Sequence, residues 1–281
     1  MGGLIDILID AFLDTCKLAP FLFITYLFLE WLEHKHDHRI ESFLTSHLHA
    51  APLVASLFGL VPECGFSAAA SSLYATGVIS VGTLVAVFLS TSDEMLPIMI
   101  ASKAPVNTML FILLIKVIVA ILAGYLLDYL THYKKTEIHD SYHEEHEENE
   151  SLLICAIKRT LQISLWMFVI TILMELLLDT IGYETIQKYM LNSNVSILIS
   201  TIIGIIPSCA SSITLTTLYM DGIIGIGELS AGLLINSGVG LAVLFQTNKN
   251  KMKNNLGILF YLFIVSIIAG VLIKPVFRTF V

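Results

Sequence analysis

Apolar residues fall along this chain in blocks separated by short polar breaks. A first block covers about 6–32, and two shorter ones, about 48–61 and 64–77, meet at the tripeptide "PEC". Longer blocks follow at about 79–100 and 106–131, and then a polar stretch, His132 to Glu150, interrupts the pattern. Beyond it the series returns, at about 152–180, 195–206, 209–221, 223–246 and 255–277. Helices are the expected element, because the longer blocks approach the ~20 apolar residues that cross a bilayer.

Composition places these helices in a membrane. Hydrophobic residues make up 56% of the chain and charged residues 14%, with a mean hydropathy of +0.83. A soluble domain carries nearer a quarter charged residues. The start, "MGGLIDILID", lacks the basic residues and cleavage site of a signal peptide, and Asp6 does not fit a myristoylation signal. Cys16, Cys64, Cys155 and Cys209 are scattered, with no CxxC pair and no disulfide framework. The net charge of −8 comes largely from the central loop, so it says little about partners.

The second half repeats the first. "GLVPECGFSAAASSLYATG", Gly59 to Gly77, returns as "GIIPSCASSITLTTLYMDG", Gly204 to Gly222, with seven identities in nineteen ungapped positions. At the same offset of 145, Glu30 falls on Glu175 and Gly82 on Gly227, while Gly124 matches Gly270 with a one-residue shift. The chain therefore divides into a first membrane repeat, 1–131, a His/Glu-rich loop, 132–150, and a second repeat, 151–281. Each short pair of segments crosses twice or dips in and returns, so each half makes an odd number of crossings. The halves must then insert in opposite senses, as in many secondary transporters. The expected fold is all-α and integral to the membrane: two inverted repeats of five segments, whose Pro-broken short helices, re-entrant hairpins among the options, meet near the midplane. Lys35, Arg39, Lys134, Lys135, Lys158, Arg159, Lys249, Lys251 and Lys253 gather on one side, which the positive-inside rule makes cytoplasmic. Both termini are then expected outside.

The repeated motif holds the first candidate site. Pro62 and Pro207 mark a break followed by a restarting helix, whose free N–H groups face whatever lies there. Broken backbone survives in a bilayer only when buried in protein or lining a wet cavity. Cys64 and Cys209 stand two residues past the prolines, and Glu63 is answered by Ser208. Ser67, Ser71 and Ser72 are matched by Ser212, Thr216 and Thr217. Close helix packing with hydroxyls bonded to backbone explains one such motif as well as a substrate site does; two matched copies favour the site. The next helices add Asp93 and Glu94 in "FLSTSDEMLP", aligned with Asn236 and Ser237 in "LLINSGVG". Adjacent carboxylates cost several kcal/mol in hydrocarbon unless paired or hydrated, and pairing with Lys116 is the structural alternative. Glu30 and Glu175 are candidate proton carriers, or else face headgroups near helix ends. Asp6, Asp10 and Asp14 give the first helix one acidic face.

Histidines crowd the loops: His34, His36, His38, His47 and His49 in one, and His139, His143 and His146 among glutamates in the other. His and carboxylate are ordinary ligands for divalent metals, so peripheral metal contact is an expectation for His34, His36, His38, His139, His143 and His146. A charge-rich linker is the plain alternative.

With the "PECG" and "PSCA" breaks, the "TSDE" and "NSGV" segments and the His-rich loops, the chain resembles the ten-transmembrane heavy-metal exporters of bacterial membranes, labelled arsenic efflux or manganese transport proteins. The resemblance covers nearly the whole length and implies a multi-pass protein of the cytoplasmic membrane. Read together, the residues suggest secondary-active export of a divalent cation such as manganese by proton exchange. The substrate-binding candidates are Glu63, Cys64, Ser67, Asp93, Glu94, Ser208, Cys209, Ser212, Asn236 and Ser237, with Glu63, Cys64, Asp93, Glu94 and Cys209 as direct metal ligands. Oxygen donors favour a hard or borderline cation, whereas Cys64 and Cys209 keep arsenite or another arsenic species open. An anion is third, since no arginine lies in the membrane interior of the apolar spans, Arg159 being placed with the charges of the cytoplasmic side. An intramembrane enzyme or a metal sensor is a further alternative, weakened by the absence of an HExxH motif. No cofactor is expected beyond the transported ion. The expected partners are membrane lipid and a metal or metalloid ion, not nucleic acid, with a homo-oligomer left open.

Overall fold

The structure is a computed structural model that describes residues 50–60, 64–91, 95–131, 152–181, 195–207 and 209–280, with scattered positions of the first apolar block between 8 and 27. Those scattered positions are helical, and among the described residues there is no strand. The first half contains α1 (Ala51–Phe58), α2 (Cys64–Ala75), α3 (Val81–Ser90), α4 (Met95–Ala101) and α5 (Val106–Leu130). The second contains α6 (Leu152–Ile181), α7 (Ser196–Gly204), α8 (Cys209–Met220), α9 (Ile226–Ile235), α10 (Gly240–Thr247) and α11 (Met252–Phe280). The starts of α1 to α4, at 51, 64, 81 and 95, recur 145 residues later as the starts of α7 to α10, at 196, 209, 226 and 240.

Local chemistry explains the shared boundaries. α2 and α8 both stop at a glycine in the left-handed region, Gly77 with φ 80° and Gly222 with φ 72°. Past each glycine the next N–H reaches back to a helix carbonyl, Val78 to Leu73 and Ile223 to Leu218, both at 2.9 Å. This is the Schellman ending, which satisfies carbonyls that the helix leaves free. α3 begins under Ser80, whose side chain accepts the Thr83 N–H at 3.0 Å as an N-cap.

Packing also recurs between the halves. Gly124, late in α5, lies against Pro52 at the start of α1 and Gly82 at the start of α3. Gly59, just past α1, lies against Val87 and Ser90 at the end of α3, so α1 and α3 run side by side in one direction. In the second half Gly270 lies against Ile197 and Gly227, and Gly204 lies against Gly232 and Ile235. α7 and α9 are therefore parallel in the same way. Glycine is needed at these crossings because a Cβ on Gly82 or Gly204 would stand 2.2 Å from a carbonyl oxygen.

Among the described residues, four stretches are long and apolar enough to cross a membrane: Val81–Ala101, Val106–Leu130, Ile226–Thr247 and Met252–Pro275. The two continuous ones turn a stripe outward, Leu110, Leu114, Ile118, Leu122 and Leu126 on α5 and Leu256, Phe260, Ile264, Ile268 and Leu272 on α11. The two interrupted ones, α3 with α4 and α9 with α10, are the interior of the protein. Their most apolar windows are 67% and 89% buried, against 28% and 33% for the continuous pair. That partition is what a bilayer requires, since backbone broken out of a helix must be shielded from lipid.

Candidate functional site

The helix interruptions converge. α3 ends with Thr91 in an extended conformation, and α9 ends with Asn236 likewise extended, each leaving carbonyls without intrahelical partners. Lys116, from the middle of α5, reaches both ends: its ammonium donates to the Thr91 carbonyl and, at 3.0 Å, to the Leu233 carbonyl in the last turn of α9. Lys116 is only 1% exposed. The two interrupted spans therefore meet at their breaks, one carbonyl from each sharing a cation.

The restarting helices pair across the halves. α10 lies along α2, and α4 lies along α8. The first pairing is very close, since a Cβ on Gly240 would stand 2.6 Å from the Ser67 Cβ and 2.8 Å from the Phe88 ring. The Ser71 hydroxyl donates to the Gly240 carbonyl at 2.7 Å, with the Ser67 carbonyl also within reach at 2.9 Å. Asn236 organises the break in the second half. Its amide nitrogen donates to the Ser211 hydroxyl at 3.0 Å, and its amide oxygen accepts the Gly238 N–H at 2.9 Å. Gly238 sits at φ 54°, and the Ser237 carbonyl accepts the Gly240 N–H at 3.1 Å, which starts α10. Cys209, at the start of α8, packs beside Ala68, Val239 and Val243.

Of the residues singled out by sequence, Ser67, Cys209, Ser212, Asn236 and Ser237 thus lie around these breaks. Ser67, Ser212, Asn236 and Ser237 are buried and Cys209 is half-buried. Ser212 donates to the Cys209 carbonyl at 2.8 Å, and Thr216 to the Ser212 carbonyl at 2.7 Å, so part of the hydroxyl strip bonds to its own helix. Glu30, Glu63, Asp93, Glu94, Ser208 and the histidines His34, His36, His38, His139, His143 and His146 lie outside the described residues. Cys64 opens α2 and Glu175 lies on α6, with both side chains outside the described set. Among the described residues no three His, Cys, Asp or Glu side chains gather as a metal cluster.

Three charged groups escaped the motif-based reading as site residues. Lys116 carried the signal of the one charge between Val106 and Leu127, in the middle of an apolar helix. Glu228, 4% exposed at the start of α9, accepts from Lys274 at 2.8 Å and Ser196 at 3.1 Å through Oε1. Asp128, at the matching junction of the first half, accepts the Ser80 hydroxyl at 2.7 Å and the Gly82 N–H at 2.8 Å. Each junction thus has a carboxylate at the N-terminus of the interrupted span, where the helix dipole favours it.

A cavity of about 390 Å³ opens between the halves, lined by Tyr74, Thr76, Ser80, Thr131, Asn248 and Tyr261 among others. It stands at the Gly77 ends of α2 and the Asn248 end of α10, one helix length from the breaks.

Comparison with known proteins gives a family. A family described as "Putative, 10TM heavy-metal exporter" matches residues 3–151 and again residues 129–273. No curated protein and no solved structure matches the chain. The chain belongs to this heavy-metal exporter family and is a multi-pass membrane protein.

Proposed function

We propose that this heavy-metal exporter is a secondary-active transporter that moves a divalent cation such as manganese out of a bacterial cell in exchange for protons. The ion binds where the interrupted helices meet. The convergence of the breaks carries the reading: Lys116 joins the ends of α3 and α9, and α2 and α10 touch at Ser67, Ser71 and Gly240. Irregular backbone at the centre of a membrane protein, one piece from each half, is the usual setting for an ion site in such transporters. Side chains complete it, with Glu63, Asp93, Glu94 and Asn236 supplying oxygen and Cys64 and Cys209 supplying sulfur. Glu30 or Glu175 carries the exchanged proton.

The topology that goes with this reading is a pair of inverted repeats. α1 and α3 start together beside Gly124 and run to the breaks, while α2 returns to a cavity it shares with Leu127 and Thr131. That supports a re-entrant α1–α2 hairpin on the face that carries the 132–150 loop. α7 and α9 start together beside Gly270, and α10 ends at Asn248 on the face of Thr131, which supports a second hairpin, α7–α8, entering from the opposite face. The lysines of the 132–150 loop and of 249–253 then share one face, the cytoplasmic one by the positive-inside rule. The start of the first segment and the end of α11 then belong to the outer face.

Flux into everted membrane vesicles tests the function. Mn²⁺, Zn²⁺, Fe²⁺, arsenite and arsenate are offered with and without a proton gradient. The expected result is gradient-dependent Mn²⁺ uptake that disappears in Asp93→Asn and Glu94→Gln while membrane insertion is kept. Normal export by both variants would refute the site. A second reading rests on the cysteines that open the matched helices α2 and α8: uptake of arsenite, lost on replacing Cys64 or Cys209, would assign the site to thiol chemistry.

A further inference from the structure

Lys116 is a costly residue in its place. It is the one charge between Val106 and Leu127 in α5, it is 1% exposed, and a charged side chain at that depth persists where it has a role. Its contacts are specific. Thr91 is the residue that ends α3, and Leu233 is in the last turn of α9, so both carbonyls belong to the negative ends of interrupted helices. One comes from each half of the chain. In broken-helix transporters, carbonyls at unwound helix ends are the groups that coordinate small cations. The second half has no equivalent ammonium. With the one-residue shift that aligns Gly124 with Gly270, Lys116 falls on Leu262, which is fully buried and apolar.

We propose that Lys116 is a built-in cation, its ammonium filling a main-chain cation site made by the Thr91 and Leu233 carbonyls where the two interrupted spans meet. Two consequences follow. The ammonium ties α3 to α9 by a charge-assisted bond to each. It also withholds those carbonyls from the transported ion, which is left to the side chains of the break. Removing the ammonium would leave a site for a small monovalent cation of similar size, such as methylammonium or K⁺.

The test uses the purified full chain in detergent, its unfolding temperature followed by the fluorescence of Trp31 and Trp166. Wild type, Lys116→Ala, Lys116→Met and Lys116→Arg are titrated with methylammonium chloride or KCl against choline chloride at constant ionic strength. Lys116→Ala is expected to unfold several degrees below wild type in choline and to recover saturably with methylammonium, as for a ligand that binds only the folded state. Wild type and Lys116→Arg should not respond, and Lys116→Met should not recover because its side chain occupies the path of the lysine stem. Should Lys116→Ala yield no folded protein, Lys116→Ser, whose short side chain likewise leaves the path of the lysine stem open, takes its place. A folded Lys116→Ala or Lys116→Ser that ignores both cations overturns the proposal, and so does failure of both of these to fold with methylammonium present during extraction. No transported ion enters this readout, so its outcome is separate from that of the export reading.

Discussion

Replacing Gly240 with alanine adds a methyl group at the tightest contact between the halves. The new Cβ would stand 2.6 Å from the Ser67 Cβ, 2.8 Å from the Phe88 ring and 2.9 Å from the Ser67 carbonyl carbon. Two of these three atoms are backbone or the first atom of a side chain, so no rotamer change clears the space. α10 must move away from α2. That movement strains the Ser71–Gly240 hydrogen bond, now 2.7 Å, whose loss costs about 0.5–1.5 kcal/mol. Overpacking of a filled core costs about 1–3 kcal/mol. Against this, alanine gains up to about 1 kcal/mol over glycine within a helix, and less at the first helical position. The net expectation is a loss of about 1–3 kcal/mol, or roughly 2–12 °C in unfolding temperature at about 2–4 °C per kcal/mol for a chain of this size class. Gly257→Ala is the control, because nothing lies within 4 Å of a Cβ there and only the helix gain applies. Thermal unfolding of the detergent-purified variants measures both. Gly240→Ala matching or exceeding the stability of Gly257→Ala would refute the close approach of α2 and α10.

Other consequences are open to measurement. Lys274→Met leaves the Glu228 carboxylate buried without its cation and should destabilise by about 1–3 kcal/mol, reduced from the fully buried case because Lys274 is half exposed. Most of that loss should return in the Lys274→Met, Glu228→Gln double variant, as a thermal double-mutant cycle would reveal. Asp128→Ala removes the acceptor for Ser80 and the Gly82 N–H and should cost about 1–2 kcal/mol, as loss of a helix cap does. Asn236→Leu removes two hydrogen bonds that shape the break, so vesicle uptake of Mn²⁺ should fall at least tenfold, a larger effect than any accompanying loss of folded protein. Cysteines placed at Thr76 or Asn254 in a cysteine-free background should react with a membrane-impermeant thiol reagent from the face of the 132–150 loop only, since both line the same cavity as Thr131.

Much of this fold is written locally. The seven repeated identities between Gly59–Gly77 and Gly204–Gly222 mark two helices whose start and stop recur at the same spacing in the structure. Proline and glycine set those limits by backbone geometry, which does not depend on distant partners. The break at Asn236 was legible too, because an Asn-Ser-Gly run favours a turn. Its counterpart after Thr91 was not, since "TSDE" reads as polar residues within a helix and the Thr91 carbonyl is met by Lys116, 25 positions away. Contacts between the halves, Ser71 to Gly240 or Asn236 to Ser211, leave no periodic trace in the chain. Glu228 was overlooked because its meaning comes from Lys274 and Ser196 on other helices.

Mn²⁺ binding to the purified chain bears most directly on the claim that the ion sits at the converging breaks. Free Mn²⁺ is counted by electron paramagnetic resonance for the wild type, for Asp93→Asn with Glu94→Gln, and for a variant whose loop histidines are replaced. The account predicts a saturable site that survives loss of the loop histidines and vanishes when the two carboxylates of the break are neutralised. Binding that persists without Asp93 and Glu94 but is lost with His139, His143 and His146 would place the ion in the loop and contradict the account.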